Sequence, residues 1–364
     1  MDLDFLQPAY ASTPVATVVI DTGKRDESGA QELQLRWRAL AERLEAAGAP
    51  EPVVERCAAE VEELVDGTVL AGLLLVADAD RLLLRQELVE PPAQEDATWE
   101  PLPHLAEIVR QGTRTLSHIV VTVDRMGGVV RRYGPMSDDL GDIGVTGGDW
   151  PVKKVKAGGW SELRYQNAVE NTWEANVGDV AHVVNRLVQA APPHLIVAAG
   201  DSRALSLLRD QLSEPARELV REIDHAGDIE PTSEAVWQQV LEVAAEQTTA
   251  IVDEVRRAVG QGSDGAAGLD EVCRALQRSQ VDTLVLGESF VDAERIVYVG
   301  TVPTDVAVNE DGLVEGKGKG VPAVDGLLRA AVATGATVSV ASDSALPGED
   351  GCAATLRYAD AATH

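Results

Sequence analysis

Residues suited to binding phosphate and stacking on bases come together in the segment 149–165. Two anions there stand against four cations, which are Lys153, Lys154, Lys156 and Arg164. Four minus two gives a local charge of +2, whereas the whole chain has a formal charge of −29. Because Lys and Arg neutralise phosphate, this reversal of sign predicts a contact with nucleic acid at this point of the chain.

The neighbouring residues of this segment suit the same contact. Gly158 and Gly159 let the backbone approach a partner closely. Ser161 is a suitable N-cap for the helix that follows, and a helix N-terminus offers positive potential and free N–H groups to phosphate. Trp160 then lies at the tip, where its ring can stack on a base. A solvated basic loop whose Trp160 folds back onto the domain explains the same residues, and both interpretations stay open.

The chain lacks the residue patterns that are typical of metal sites, catalytic serine sites and nucleotide-binding loops. The six histidines include no His-Glu-x-x-His pair, and the three cysteines include no Cys-x-x-Cys pair. A Gly-x-Ser-x-Gly elbow is also missing. The segment 316–320 alternates Gly and Lys like a phosphate cradle, but it lacks the Gly-Lys-Ser/Thr ending of a P-loop. The sequence therefore predicts neither a metal nor a cofactor.

Length and composition set the wider limits. A chain of 364 residues predicts two or three domains, and a hydrophobic content of 45% is enough for each to have a core. Aromatic residues make up only 4%, so these cores depend on Val, Leu, Ala and Ile. The acidic excess argues against nucleic-acid binding over the whole surface. The N-terminus has no signal-peptide pattern and no apolar run spans a membrane, so we expect a cytoplasmic protein.

Hydrophobic spacing predicts three stretches of mixed strands and helices. The first, 1–112, contains a strand at 15–20, helices at 31–47 and 52–65, and a hairpin of 69–76 with 81–88. Its prolines between 91 and 103 indicate a loose connection. The second, 113–260, contains a hairpin of 118–123 with 129–133, a long loop at 134–159 and a long helix at 161–188. A strand at 194–199 and helices at 203–212 and 234–259 follow.

The third stretch, 261–364, opens with most of a Gly-rich linker at 260–268. It contains helices at 269–278 and 324–334 and strands at 283–287, 337–340 and 353–358. This alternation predicts a small α/β/α sandwich. The sequence therefore indicates an α/β chain of three domains, which span residues 1–112, 113–260 and 261–364.

The loop and the start of its helix resemble a known motif. Residues 156–167, Lys-Ala-Gly-Gly-Trp-Ser-Glu-Leu-Arg-Tyr-Gln-Asn, resemble the segment around Gly-Gly-Gln in the archaeo-eukaryotic peptide chain release factors. In that family a basic loop carries Gly-Gly-Gln, then Ser-x-x-Arg-Phe/Tyr, then a long helix. The positions that match are Gly158, Gly159, Ser161, Arg164 and Tyr165. Trp160 stands in place of the catalytic glutamine, and the codon-reading Asn-Ile-Lys-Ser is absent, so the resemblance does not imply stop-codon recognition.

The third stretch resembles the same family's C-terminal domain, which is related to kink-turn-binding ribosomal proteins. The resemblance rests on residues 268–288 and on the ending Gly-Cys-Ala-Ala-Thr-Leu-Arg-Tyr at 351–358. Together the two matches cover 113–358. They are most similar to the bacterial branch of the family, which includes the Balon-like ribosome hibernation factors and their actinobacterial relatives.

The resemblance implies a non-enzymatic, ribosome-associated stress protein. It implies binding in the A site of idle ribosomes, near the P-site tRNA and the large-subunit rRNA of the peptidyl transferase centre, with elongation factor Tu as a possible partner. The implied binding residues are Lys153, Lys154, Lys156, Gly158, Gly159, Trp160, Ser161 and Arg164. Two other functions remain open: a rescue factor that hydrolyses peptidyl-tRNA, and an RNA-binding adaptor that uses only the C-terminal domain.

Overall fold

The structure, a computed structural model, describes the chain except for residues 24–26, 66–70, 113, 125, 137–138, 147–159, 224–233, 263 and 359–364. Contacts divide it into two compact units. The first unit combines Met1–Arg114 with Ala245–His364, and the second is Thr115–Ala244. The division into three domains at 112 and 260 stays a prediction.

The N-terminal part of the first unit is an antiparallel sheet with helices packed on it. Its strands are β1 (Val15–Asp21), β2 (Gly72–Ala77), β3 (Leu82–Leu88) and β4 (Asp96–Glu100), in the order β3-β2-β1-β4. Its helices are a 3-10 helix (Asp4–Tyr10), α1 (Glu27–Ala46), α2 (Glu51–Val65) and α3 (Ala106–Gly112). Leu40 and Leu44 of α1 and Val61 of α2 are buried in one cluster with Val18 and Leu75 of the sheet. The predicted strand, the two predicted helices and the hairpin are thereby confirmed.

The second unit is built on a five-stranded sheet. Its strands are β5 (His118–Val123), β6 (Gly127–Tyr133), β7 (Asp139–Thr146), β8 (Leu195–Gly200) and β9 (Val220–Glu222), in the order β7-β6-β5-β8-β9. The pairs among β5, β6 and β7 are antiparallel, and β8 runs parallel to both β5 and β9. The helices are α4 (Trp160–Ala190), α5 (Ser202–Gln211), α6 (Glu214–Glu218) and α7 (Glu234–Gln261), of which α7 continues beyond this unit.

Apolar side chains of the central strands alternate between the two faces of this sheet, so a core forms on each face. Val121 of β5 packs in a cluster with Val180 and Val184 of α4, whereas the adjacent Val120 packs in a second cluster with Val240 of α7. Because successive strand residues point to opposite faces, helices cover the sheet on both sides. The long helix after the loop is thus confirmed, and its backbone begins one residue before the predicted start.

The C-terminal part of the first unit contains two small sheets. The first has the order β10-β16-β11-β15, and the second has the order β13-β12-β14. The elements are β10 (Gly265–Ala267), α8 (Leu269–Gln277), β11 (Val281–Gly287), α9 (Glu288–Asp292), β12 (Ile296–Val299), β13 (Val306–Ala307), β14 (Lys319–Pro322), α10 (Ala323–Thr334), β15 (Thr337–Ala341) and β16 (Cys352–Leu356).

Helices cover both faces of the larger C-terminal sheet. Val285 and Ala353 pack against Val255 of α7, while Cys352, on the opposite face, lies near Cys273 of α8. The predicted α/β/α sandwich and the α/β fold class are therefore confirmed.

Three predicted connections turn out to contain regular structure. The predicted loop 134–159 includes β7, which pairs with β6 because Ile143 and Val145 at alternating positions pack against the core. The predicted linker 260–268 includes β10, which pairs with β16. The Pro-rich connection includes β4, which pairs with β1. Among the described residues, none forms a helix that is both long and apolar enough to cross a membrane.

Candidate nucleic-acid interface

The predicted binding residues fall in or beside the segment 147–159, which connects β7 to α4 and was predicted to be a loop. Five of them lie outside the described residues: Lys153, Lys154, Lys156, Gly158 and Gly159. The other three lie in the first two turns of α4, where the structure describes the helical backbone but not the side chains: Trp160, Ser161 and Arg164. What the structure shows of this site is therefore the framework on which the loop is mounted.

The loop starts at one defined end of the sheet. Thr146, the last residue of β7, pairs with Gly127 at the start of β6. Gly128 in turn pairs with Val123, and Val123 pairs with Gly200. β7 therefore ends at the end of the sheet where β5 and β8 finish, which is also where α5 begins.

Two glycines bring the strands unusually close at this end. A Cβ on Gly128 would lie 2.3 Å from the carbonyl oxygen of Thr122. A Cβ on Gly200 would lie 1.8 Å from the carbonyl oxygen of Val123, and the φ of Gly200 is +144°, which L-residues rarely adopt. Only glycine fits these two positions, so this end of the sheet has a backbone arrangement that other residues cannot reproduce.

Helix α4 supplies the second anchor of the loop. Its side chains Val177, Val180 and Val184 are fully buried against the sheet. Gln211 at the end of α5 also contacts this helix, because its Nε2 donates a hydrogen bond of 3.2 Å to the carbonyl oxygen of Glu174. At 1.5 Å per residue, Trp160 lies about 26 Å along the helix axis from Val177. The start of the helix is thus held at a fixed distance from a packed core.

The described residues at this end of the sheet include two capping carboxylates and the exposed Arg203 in the first turn of α5. Asp201 caps α5 by accepting from the N–H groups of Arg203 and Ala204, at 3.1 and 3.4 Å. Asp124 accepts from the N–H groups of Met126 and Gly127, at 2.7 and 3.1 Å. Both carboxylates are thus engaged with backbone N–H groups, and a contact with phosphate at this end depends on nearby cations.

Several arginines elsewhere in the second unit have structural contacts. Arg217 donates to the carbonyl oxygens of Arg209 and Leu212, at 3.0 and 2.9 Å. Arg132 donates to the carbonyl oxygen of Leu140 over 2.8 Å. These guanidinium groups stabilise turns and strand ends, so they are poor substitutes for the loop as a phosphate-binding surface.

The strand histidines of this unit make local contacts. His118 is buried, stacks on Tyr133 with ring centroids 4.5 Å apart, and has its Nδ1 2.7 Å from the carbonyl oxygen of Leu116. Burial lowers the pKa of His118 to about 4, and the contact with Leu116 opposes this only in part. His194 Nδ1 lies 2.8 Å from Ser117 Oγ. The described residues contain no group of three or more His, Cys, Asp or Glu side chains that could hold a metal ion.

One charged cluster of the first unit has no signal in the sequence. His104 lies between Asp96 and Asp325, which come from the N-terminal and the C-terminal part of the unit. Nothing in the local sequence around any of the three residues points to the others, because the cluster depends on the docking of distant segments.

The comparisons with known proteins agree with the motif. Residues 117–261 match the model of the bacterial archaeo-eukaryotic release factor family 2. This segment contains the loop, α4 and the sheet on which both are mounted. The resemblance to the bacterial branch of the release factors is thereby confirmed.

Relatives of the whole chain occur in Mycobacterium tuberculosis. The chain is 27% identical over 361 residues to an uncharacterized protein present in two strains of that organism, covering 96% of this chain and 94% of the relative. Among solved structures, it is similar to an archaeal translation termination factor, aRF1, with 15% identity, a TM-score of 0.25 and coverage of 95% and 93%. A ribosome-bound archaeal Pelota gives 13% identity, a TM-score of 0.35 and coverage of 98% and 94%.

Proposed function

We propose, because residues 117–261 of this chain match the bacterial archaeo-eukaryotic release factor family, that the protein is a translation factor that occupies idle ribosomes without cleaving peptidyl-tRNA. In this proposal it is cytoplasmic and binds the A site, with the loop 147–159 close to the large-subunit rRNA of the peptidyl transferase centre and to the P-site tRNA. The observation that carries the proposal is Trp160, which takes the place of the family's glutamine at the start of a long helix.

Trp160 cannot perform the role of the glutamine that it replaces. A glutamine amide both donates and accepts hydrogen bonds, so it can hold a water molecule against an ester. An indole has one N–H donor and no acceptor. A misplacement of about 1 Å between reacting groups can cost about a hundredfold in rate. We therefore expect hydrolysis to be lost.

The same substitution favours occupancy. Stacking of an aromatic ring on a base contributes about 1–3 kcal/mol to binding. The four cations of the segment 149–165 and the N-terminus of α4 add attraction to phosphate. Because the chain as a whole carries −29, its overall attraction to rRNA is weak, and the contact depends on local groups of cations such as those of this segment.

The charge of the C-terminal part argues against an RNA-binding adaptor. From Ala245 to His364 the sequence contains nine Lys and Arg against nineteen Asp and Glu, a net charge of −10. Several of the cations are engaged: Arg357 donates to the carbonyl oxygens of Thr334 and Gly335, at 2.8 and 2.7 Å. An acidic α/β/α module suits docking on a protein, and delivery by elongation factor Tu belongs to the same proposal.

The loop contact is tested by reversing its charge. Changing Lys153, Lys154 and Lys156 to Glu should weaken binding to purified ribosomes and lower the slope of log affinity against log salt by about two. The matched control changes three exposed arginines of the same unit to Glu, namely Arg186, Arg209 and Arg221. Equal losses in both variants would show a general charge effect and would place the contact elsewhere.

A further inference from the structure

His104 joins the two parts of the first unit. Its Nδ1 lies 2.9 Å from Asp96 Oδ2 on β4, and its Nε2 lies 3.9 Å from Asp325 Oδ2 on α10. The other oxygen of Asp325 accepts from the N–H of Leu105 over 3.0 Å. Two successive residues of the N-terminal part are therefore held by one carboxylate of the C-terminal part.

Asp325 is the buried member of this cluster. Its side chain is 3% exposed, against 27% for both His104 and Asp96. A buried carboxylate needs a counter-charge, because transfer from water penalises its ionised form. Other titratable or charged groups surround the cluster. Arg43 pairs with Asp96, and Glu100 lies near His104. Tyr10, which also lies near Arg329, faces Asp325.

Further contacts join the same two parts. Lys319 Nζ lies 3.0 Å from Glu100 Oε2, and Arg110 pairs with Asp292. The N-terminal amino group of Met1 donates to the carbonyl oxygen of Val338 over 2.7 Å, and the N–H of Val338 donates to the carbonyl oxygen of Met1 over 3.0 Å. The interface thus extends well beyond the cluster, and its other charged pairs are more exposed than Asp325.

We propose that Asp96, His104 and Asp325 form a pH-dependent latch between Met1–Arg114 and the C-terminal part of the first unit, closed at acidic pH and loosened as the pH rises towards neutral. The latch operates independently of the ribosome contact of the loop. Its physical basis is that protons are bound more tightly when the two parts are docked than when the groups are exposed to water.

The direction follows from the pKa values. Burial raises the pKa of Asp325 from 3.8 to about 6, although His104 opposes this rise. Burial lowers the pKa of His104, but the hydrogen bond that its ring donates to Asp96 and the charges of Asp325 and Glu100 outweigh this effect and raise the pKa above 6.5. Both groups therefore favour docking at low pH. The contribution of Asp325 is lost mainly as the pH rises from about 4 to 6, and that of His104 as the pH rises through its raised pKa.

The lower end of this window is limited by Asp96. Burial raises its pKa, but the hydrogen bond and the charge of His104 outweigh that effect and hold the pKa below 3.8. Asp96 therefore stays ionised above pH 4. The pKa of Asp325 is 3.8 when the two parts are open and about 6 when they are docked. This difference alone lowers the equilibrium constant for docking about thirtyfold between pH 4 and 6.

The test measures hydrogen exchange of two amides in the full chain as protection factors, which are corrected for the intrinsic pH dependence. The Leu105 amide, bonded to Asp325, should lose protection about thirtyfold between pH 4 and 6, and more above pH 6.5. The Val338 amide, bonded to Met1 at a different point of the interface, should lose protection in parallel. Leu74, in the middle of β2, should not change.

Variants separate the two titrating groups. Asp325→Asn should abolish the step between pH 4 and 6, and His104→Gln should abolish the step above 6.5. His182→Gln, an exposed histidine of α4, should change neither step. If Asp325→Asn does not fold, His104→Gln decides alone. Protection of Leu105 that is flat with pH, or that changes while Val338 does not, would overturn the latch.

Discussion

The change Gly200→Ala tests whether the end of the central sheet must be as closely packed as the structure shows. The new Cβ would lie 1.8 Å from the carbonyl oxygen of Val123, a separation that real Cβ atoms never reach. The residue would also retain a φ of +144° or force the chain to rearrange. Both effects act where β8 ends and α5 begins.

The expected cost combines these two effects. Backbone strain at a non-glycine residue with positive φ costs about 1–3 kcal/mol. Separating the terminal pair of β5 and β8 sacrifices at least one hydrogen bond, worth about 1 kcal/mol. We expect the second unit to lose about 3 kcal/mol, a large share of the roughly 5–15 kcal/mol that stabilises a domain.

Native-state hydrogen exchange of the β5 and β8 amides measures this loss in the second unit alone. Gly141→Ala is the matched control, because Gly141 has a φ of +92° and an added Cβ would meet nothing within 4 Å, so this variant isolates the backbone strain. Gly128→Ala isolates the steric clash, since a Cβ there would lie 2.3 Å from the carbonyl oxygen of Thr122 without a positive φ. An equal, small effect of Gly200→Ala and Gly141→Ala would refute the close approach.

Three other predictions concern titration, thiols and boundaries. Because the pKa of His118 falls from 6.5 to about 4 on folding, the second unit should lose about 3 kcal/mol of stability as the pH drops through this range. Urea unfolding at a series of pH values measures this loss. If His118→Phe shows the same dependence of unfolding free energy on pH, the prediction is contradicted. Burial raises the pKa of Cys57, Cys273 and Cys352 to about 12, so the native chain should react with a thiol reagent at pH 7 far more slowly than the urea-unfolded chain; equal rates would show that the thiols are accessible. Limited proteolysis should cut near Gly112 and Gly260 first, and one protected fragment spanning both points would disprove those domain boundaries.

Local periodicity was sufficient to predict the long elements of this fold. The spacing of apolar residues that predicts α4 and α7 reflects single helices that pack one face on a core. Hairpins such as β5–β6 are also local, because a short turn joins strands that pair with each other.

Several elements that the sequence could not reveal depend on distant partners. β10 has three residues and is a strand only because β16, far along the chain, pairs with it. β4 forms because it pairs with β1 across two helices and a hairpin. The cluster of Asp96, His104 and Asp325 has the same origin, since a sequence motif cannot show which of many carboxylates becomes buried beside a histidine.

For the candidate binding segment, the sequence revealed the chemistry better than the structural framework. Its chemistry was readable from residue types, namely the cations, the glycine pair and Trp160, whereas its framework was only partly so. The close approaches at Gly128 and Gly200 depend on tertiary packing, and no local pattern distinguishes them from ordinary turn glycines.

We propose above all that this protein occupies ribosomes without releasing peptide. The most direct measurement mixes the full chain with ribosomes that carry labelled peptidyl-tRNA and records both bound protein and released peptide. We predict stable binding with release no higher than background, and weaker binding for Trp160→Ala. Peptide release by the wild-type chain at a rate comparable to a true termination factor would contradict the account and place the protein among the peptidyl-tRNA hydrolases.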